Sequence, residues 1–312
     1  MGSELKRYLV RPERWEALPA DWDAVFGRSA PLAVEIGFGS GEFLSWAARE
    51  HPGWNWVGFE TSLTCITKAG RKLAQWGARN VRLALVDGQF ALRELFPDES
   101  VARVYVHFPC PWPKARHAER RLVGPGFGQT LAAVLAPDGL FILTTDVLWY
   151  AEDAAACLAE ANPFRVTGPQ PLVEEGPGTR YERKWRGQGR AIWQVVAERR
   201  VKGAIQRIAE GTMPHVRIAV PVTPETVARA VGLREAWPGG AFAVKEAFFA
   251  PDGKTALLRA FATDDDFQQH YFLAVVNERE GAMVKLDGAT VPFRTPAVKR
   301  SVAAVAAALE GR

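Results

Sequence analysis

The sequence predicts an α/β chain, a Rossmann-like, mostly parallel, doubly wound sheet followed by a small α+β region. Three observations carry this. An apolar strand runs straight into a glycine turn and then into helical periodicity between Leu32 and Glu50. Successive strands, separated by helical segments, end in or just before an acid at Glu35, Glu60 and Asp87. Beyond about residue 200, short strands joined by Pro251-Asp252-Gly253 and Glu280-Gly281 turns take over.

A length of 312 residues fits two domains, expected here as residues 1–200 and 201–312. Hydrophobic residues at 48% and charged residues at 24% exclude disordered and fibrous classes. A net charge of +4 is compatible with a nucleic-acid partner but too small to establish one. Cys65, Cys110 and Cys157 form no metal-like pair and leave one thiol over in any disulfide scheme, so a reduced cytoplasmic protein without a metal site is expected. Met1 to Val10 lacks an apolar signal core, and no apolar run approaches the roughly 18 residues of a membrane span, so no membrane partner is expected.

Taking the elements in order, Trp15, Trp22 and Phe26 stand at loose helical spacing and are expected to pack over the domain that follows. Leu32 to Ile36 is the first strand; Gly37, Gly39 and Gly41 follow, and Phe43, Leu44, Ala47 and Ala48 give a helix. Glycines let the backbone approach a ligand closely, and the helix start offers free amides. A dinucleotide fingerprint would need its third glycine where Glu42 stands, so that reading fails. Taken alone, such a turn also arises for purely structural reasons.

The second strand, Trp54 to Phe59, ends at Glu60, where a carboxylate can accept from both hydroxyls of a ribose. Ser62 starts a helix carrying Leu63, Ile66, Leu73 and Trp76 inward and Lys68, Arg71 and Lys72 on a solvated face. Asn80 to Val86 is a third strand and delivers Asp87. Ligands of open α/β sheets bind beyond the carboxyl ends of the strands, so the three acids are expected to line one crevice.

The fourth strand, Val104 to Phe108, is broken by Pro109-Cys110-Pro111-Trp112-Pro113 and followed by Lys114, Arg116, His117, Arg120 and Arg121. Three prolines in five residues end the ladder in a stiff loop that fixes Cys110 and Trp112. An aromatic platform beside cations suits a planar base and its phosphates; a structural turn with a solvated helix face is the alternative. A helix from about Ala118 or Gly126 to Leu135 leads to the strand Leu140 to Thr145, ending at Asp146. Ala151 to Ala161 reads as helix, Phe164 to Thr167 as strand and Gln170 to Gly178 as loop. Thr179 to Trp185 mixes two aromatics with cations and one carboxylate, and reads as a nucleotide-contacting loop or a plain polar one. Ala191 to Val196 closes the domain, and Arg199, Arg200 and Lys202 mark a basic linker.

In the second region Thr223-Pro224-Glu225 starts a helix running through Val227, Val231 and Leu233. Strands are expected at 241–249, 255–263, 271–277 and 283–286, and Thr295-Pro296 starts a last helix with Val298, Val302, Val305 and Leu309 on one stripe.

Residues 1 to about 200 resemble the bacterial tRNA (guanine-N7)-methyltransferases, class I enzymes that use S-adenosylmethionine; the likeness is read as stopping near Gly203. It rests on Val34-Glu35-Ile36-Gly37-Phe38-Gly39-Ser40-Gly41, Gly58-Phe59-Glu60, the run Phe108 to His117 with Arg120-Arg121-Leu122, Thr145-Asp146 and Thr179-Arg180-Tyr181-Glu182. The resemblance implies that Glu35, Glu60 and Asp87, beside Gly37, Gly39 and Gly41, bind S-adenosylmethionine. It implies that Lys114, Asp146, Thr179, Tyr181 and Glu182 contact the guanosine or its neighbours, and that Trp112, Arg116 and His117 meet tRNA. The family carries an Asp, regarded as cofactor-binding and catalytic, where this chain has Cys110; Asp146 is then the carboxylate left beside the base. Two alternatives stay open. Pro109-Cys110 is similar to the nucleophile of cytosine C5-methyltransferases, and the same substitution keeps open a non-catalytic protein that binds S-adenosylmethionine and tRNA. For residues 201–312, tRNA docking and a stabilising or dimerising role are rivals, so monomer and homodimer both remain.

Overall fold

In the computed structural model, which describes residues 3–160, 163–172 and 178–312, eight strands make one sheet. They are β1 (Leu9–Val10), β2 (Leu32–Ile36), β3 (Asn55–Glu60), β4 (Val81–Leu85), β5 (Val101–His107), β6 (Leu135–Thr145), β7 (Phe164–Pro171) and β8 (Trp193–Arg199). Their spatial order is β1-β4-β3-β2-β5-β6-β8-β7, parallel from β1 through β6, with β8 antiparallel to both of its neighbours. All five residues of β2 are buried, as expected of a central parallel strand covered on both faces. The order reverses between β2 and β5, which opens a crevice beyond their carboxyl ends.

Local chemistry sets the helices of this unit: α1 (Ser3–Lys6), α2 (Trp22–Phe26), α3 (Glu42–Glu50), α4 (Leu63–Gln75), α5 (Gly88–Leu95), α6 (Pro125–Val134), α7 (Leu148–Ala159) and α8 (Arg180–Gly187). Ser62 accepts from the Cys65 amide to cap α4, and Asp87 accepts from the Phe90 amide to cap α5. Pro125 occupies the first turn of α6. The start expected near Ala118 is a separate 3₁₀ segment, Ala115–Arg120. Residues 173–177 of the expected 170–178 loop, and Ala161 at the expected end of α7, lie outside the described residues.

The chain divides into two compact units, residues 1–11 with 19–206, and residues 12–18 with 207–312. Trp22 stacks on Phe96 at 5.0 Å inside the first unit, whereas Trp15 belongs to the second, so the expectation that both pack over the first domain is corrected. The expected basic linker is corrected too. Arg199 is a buried residue of β8 that donates to Glu99 at 2.7 Å and to the Ala136 carbonyl, and Lys202 pairs with Glu99 at 3.2 Å.

The second unit is an antiparallel sheet of order β10-β11-β12-β13-β14-β9, built from β9 (Val216–Ile218), β10 (Arg234–Trp237), β11 (Gly240–Phe249), β12 (Thr255–Asp264), β13 (Phe267–Asn277) and β14 (Ala282–Leu286). With it go the short α9 (Pro224–Ala228), which ends before the expected Leu233, and α10 (Pro296–Leu309). The α10 stripe of Val298, Val302, Val305 and Leu309 is buried with Phe242, Leu258, Tyr271 and Leu273 in one core. Each of those aliphatic side chains contributes roughly 1.5–3 kcal/mol on leaving water.

Candidate cofactor and RNA site

Parallel register places the ends of β2, β3, β4, β5 and β6 on one edge of the sheet, so Gly37, Glu60, Asp87, Phe108 and Asp146 all follow or close strands at that edge. Gly37 and Gly39 have φ of +71° and +55°, and no atom lies within 4 Å of where a Cβ would stand on either. Side chains rarely adopt that backbone, and the open space beside it is a cradle for a ligand. Gly41 is needed for packing instead, because a Cβ there would lie 2.6 Å from the Ala69 Cβ of α4.

Glu60 closes the cradle: one carboxylate oxygen accepts from Gly39 N at 3.1 Å, the other from the amides of Thr61 and Ser62. The oxygen on Gly39 keeps a further lone pair for a ribose hydroxyl, while the two amides fill the other. Glu35, in the interior of β2, is 2% exposed; its Oε1 lies 3.2 Å from His107 Nδ1 on β5. Its Oε2 is buried with no hydrogen-bond partner. Buried acceptors are ordinarily satisfied, so a donor supplied by a ligand fits there. Asp87 stands one strand further out, exposed, with Oδ1 capping α5. In the same α5, Gln89 donates to the Leu122 carbonyl at 2.7 Å, tying the helix start to the end of the basic segment.

The proline loop is held in an unusual shape. Phe108 and Trp112, which bracket Pro109-Cys110-Pro111, have φ of +51° and +46°, a region that costs a bulky residue of order 1–3 kcal/mol and clusters at functional sites. Arg121 fixes the loop from below: it donates to the Trp112 carbonyl at 3.4 Å and to Asp153 at 3.1 Å and lies 5.0 Å over Trp149. Around Trp112, the Arg120 guanidinium lies 5.2 Å from the ring and the His117 ring meets it edge-on at 5.7 Å. Lys114 and Arg116 point into solvent, and Cys110 is an exposed free thiol. Beneath the loop the Tyr150 phenol is buried, which pushes its pKa up to about 12.

The segment expected to be a nucleotide-contacting loop is a helix. Thr179 Oγ1 accepts from the Glu182 amide at 3.1 Å and Glu182 Oε2 accepts from the Thr179 amide at 3.2 Å, a reciprocal capping box that starts α8. Thr179 and Glu182 therefore shape the helix, while Tyr181, 52% exposed, carries its ring to 6.1 Å from Phe108. Asp146 accepts from Arg190 at 2.9 Å, and Arg190 lies 4.0 Å over Trp185.

Sequence reading missed Glu42. It accepts from the Arg180 amide at the start of α8, from Arg183 at 3.4 Å, and pairs with Lys72 at 3.6 Å. The residue that breaks the dinucleotide fingerprint thus joins the cradle helix α3 to α8. It also missed the His107–Glu35 pair, whose signal was a histidine closing β5 two residues beyond Tyr105, the register partner of Glu35. A cavity of about 560 Å³ lined by Trp22, Leu32, Asn55 and Ser100 lies at the amino ends of β2 and β3, the opposite edge, and takes no part.

This sheet order, glycine cradle and row of strand-end acids define the class of α/β methyltransferases, and the family model described as "Putative methyltransferase" matches residues 29–195. The chain is 41% identical over 298 residues to the tRNA (guanine-N(7)-)-methyltransferase of Thermotoga maritima, covering 95% of this chain and 94% of that one. It is 35% identical to the same-named protein of Coprothermobacter proteolyticus over 93% and 90%, and 38% identical to that of Thermus thermophilus over 60% of each. The chain belongs to the tRNA (guanine-N7)-methyltransferase family. The likeness does not stop near Gly203: with the first two relatives it runs through the second unit as well. These relatives do not favour the cytosine alternative for Cys110.

Proposed function

We propose that this chain transfers a methyl group from S-adenosylmethionine to N7 of a guanosine in the variable loop of tRNA, in the cytoplasm. The observation that carries the reading is the open Gly37–Gly39 cradle beside the unpartnered buried oxygen of Glu35, in a chain alike over almost its whole length to enzymes of that name. The set of acceptors fits the cofactor: Glu35 for an ammonium, Glu60 for a ribose hydroxyl and Asp87 for an adenine amino group. Bound there, S-adenosylmethionine supplies an electrophilic methyl group.

Guanine N7 carries a lone pair and no proton, so this chain needs no general base. Its residues instead hold N7 in line, a task that supplies about 7–11 kcal/mol where geometry is favourable. Phe108, Trp112 and Tyr181 offer ring faces to the base, and Lys114, Arg116 and His117 offer charge to the phosphates around it. Asp146 and Glu182 place carboxylates where the purine becomes positive, which favours the transition state electrostatically. Lys114, Asp146, Thr179, Tyr181 and Glu182 are the proposed guanosine-side residues, with Thr179 and Glu182 acting partly through the helix start they build.

The test is mass analysis of nucleosides from tRNA incubated with the protein and methyl-labelled S-adenosylmethionine. Labelled 7-methylguanosine is expected; labelled 5-methylcytidine, or a covalent tRNA adduct lost in Cys110→Ala, would overturn the reading.

A further inference from the structure

The second unit buries one face of its sheet and leaves the other with a distinct chemistry. Phe242, Val244, Leu258, Ala260, Tyr271, Leu273 and Val284 point to the α10 side and are buried. Register puts their alternates on the opposite face. Arg259 pairs with Phe272, Phe261 with His270, Phe248 with Leu257, and Lys285 with Ala274. The Phe261 and His270 rings lie 5.1 Å apart and those of Phe248 and Phe272 6.2 Å apart, on three adjacent strands, and Phe248 is 48% exposed.

Charge on that face is one-sided. The unit as a whole is nearly balanced, with 14 Lys and Arg against 12 Asp and Glu over residues 201–312. Among the described residues of these strands, register and exposure assign Arg217, Arg234, Lys245, Arg259 and Lys285 to the open face, against the carboxylates of Glu246, which pairs with Arg259 at 3.0 Å, and of Glu278 just past β13, which pairs with Arg217 at 3.2 Å. Other acids lie away from it: Asp252, Asp265 and Asp266 in the turns, Asp264 buried with its Oδ1 accepting from the Ala297 amide, and Glu235 paired with Arg300.

We propose that this open face is a base-stacking platform for unpaired nucleotides of the tRNA substrate, with Phe248, Phe261 and Phe272 as the stacking rings and Lys245, Arg259 and Lys285 as phosphate contacts. Half-exposed aromatics on neighbouring strands of one antiparallel sheet accept unstacked bases with little sequence preference, and surrounding cations track the backbone. Phosphate is the partner chemistry that five cations against two carboxylates match, with Arg234, Lys245 and Lys285 left as the excess. The proposal rests on the tRNA reading above and deepens it by assigning an RNA contact outside the cofactor unit.

The experiment uses the full chain and unmodified tRNA. Binding is measured over a series of salt concentrations for wild type, for Phe248→Ala with Phe272→Ala, and for Lys245→Glu with Lys285→Glu, a surface pair that leaves the core intact. Thermal unfolding of each variant controls for folding. The aromatic variant is expected to bind about tenfold more weakly or worse. The charge variant is expected to flatten the salt dependence by about 0.7 per lost phosphate contact. Methyl transfer at saturating tRNA should stay at the wild-type rate in both. Wild-type tRNA affinity in both variants overturns the platform, and so does a concentration-dependent dimer that they disperse without affecting tRNA, which would make the face a self-association surface. Failure of the tRNA reading is separate, because it appears in the wild type as no 7-methylguanosine on any tRNA.

Discussion

Single side chains decide how tightly the cofactor is held and whether the thiol matters. Glu35 has one oxygen on His107 and one with no partner, in a site of almost no solvent, so its charge is available to a cationic donor. Glu35→Gln keeps the shape and removes the charge; a hydrogen bond to a charged group is worth about 1.5–3 kcal/mol, so S-adenosylmethionine affinity by calorimetry should fall about ten- to hundredfold. At Cys110 the reverse change is informative. The thiol is exposed and unpaired, and nothing in attack by a guanine nitrogen needs it. Cys110→Ala should therefore leave 7-methylguanosine formation within about threefold, while Cys110→Asp, by adding a charged acceptor at a position proposed to face the cofactor, should tighten S-adenosylmethionine about tenfold. Glu35, Glu60 and Asp87 stood out in the sequence because Glu35 lies next to last in a strand, Glu60 closes one and Asp87 follows one in a parallel pattern. His107 was not, since its partner is 72 positions away and only the β2–β5 register brings them together.

At the scale of elements, the crevice depends on two helix starts meeting. Glu42 on the first turn of α3 receives the Arg180 amide and the Arg183 guanidinium, so the cradle helix and the Tyr181 helix share one carboxylate. Glu42→Ala should raise the KM for tRNA about fivefold with unchanged S-adenosylmethionine affinity, since an exposed charged contact of roughly 1 kcal/mol is lost and Gly37 and Gly39 are untouched. The capping box makes a different prediction. Thr179→Ala removes the acceptor for the Glu182 amide and should destabilise α8 by about 1 kcal/mol, read as faster amide exchange across residues 180–187. Thr179→Ser retains the acceptor and should restore protection, an outcome that a purely substrate-contacting Thr179 would not produce. The Thr-x-x-Glu spacing that announces this helix stands in the sequence, but the aromatic and basic composition of Thr179 to Trp185 suggested a loop; local capping outweighed composition. Strands β1, β9 and β10 escaped notice for a simpler reason, as two to four residues are too few to show alternation.

Across the whole molecule, the order of strands from Leu32 to Thr145 was readable because buried parallel strands and amphipathic helices have unlike periods, although α5 went unread. Assignment of residues 12–18 to the second unit was not, because it rests on contacts such as Arg294 to the Trp15 carbonyl, 279 positions apart. The two units nonetheless share one thermodynamic feature. Each buries a tyrosine hydroxyl, Tyr150 in the first and Tyr271, bonded to Ser301 at 2.6 Å, in the second, and burial raises the pKa of both above the ordinary 10. A raised pKa means that the folded chain holds the phenolic proton more tightly than the unfolded chain. Below about pH 10 both states are protonated and the full stability is present; above it the unfolded state ionises first, and stability falls until the folded phenol follows. For Tyr150, whose folded value is about 12, the loss spans pH 10 to 12 and amounts to roughly 2–3 kcal/mol. Denaturant midpoints measured from pH 8 to 12 should be level and then decline, and Tyr150→Phe should remove its share of the decline. A midpoint that falls equally in wild type and Tyr150→Phe would place the alkaline sensitivity elsewhere, with Tyr271→Phe as the second arm that locates it in the other unit.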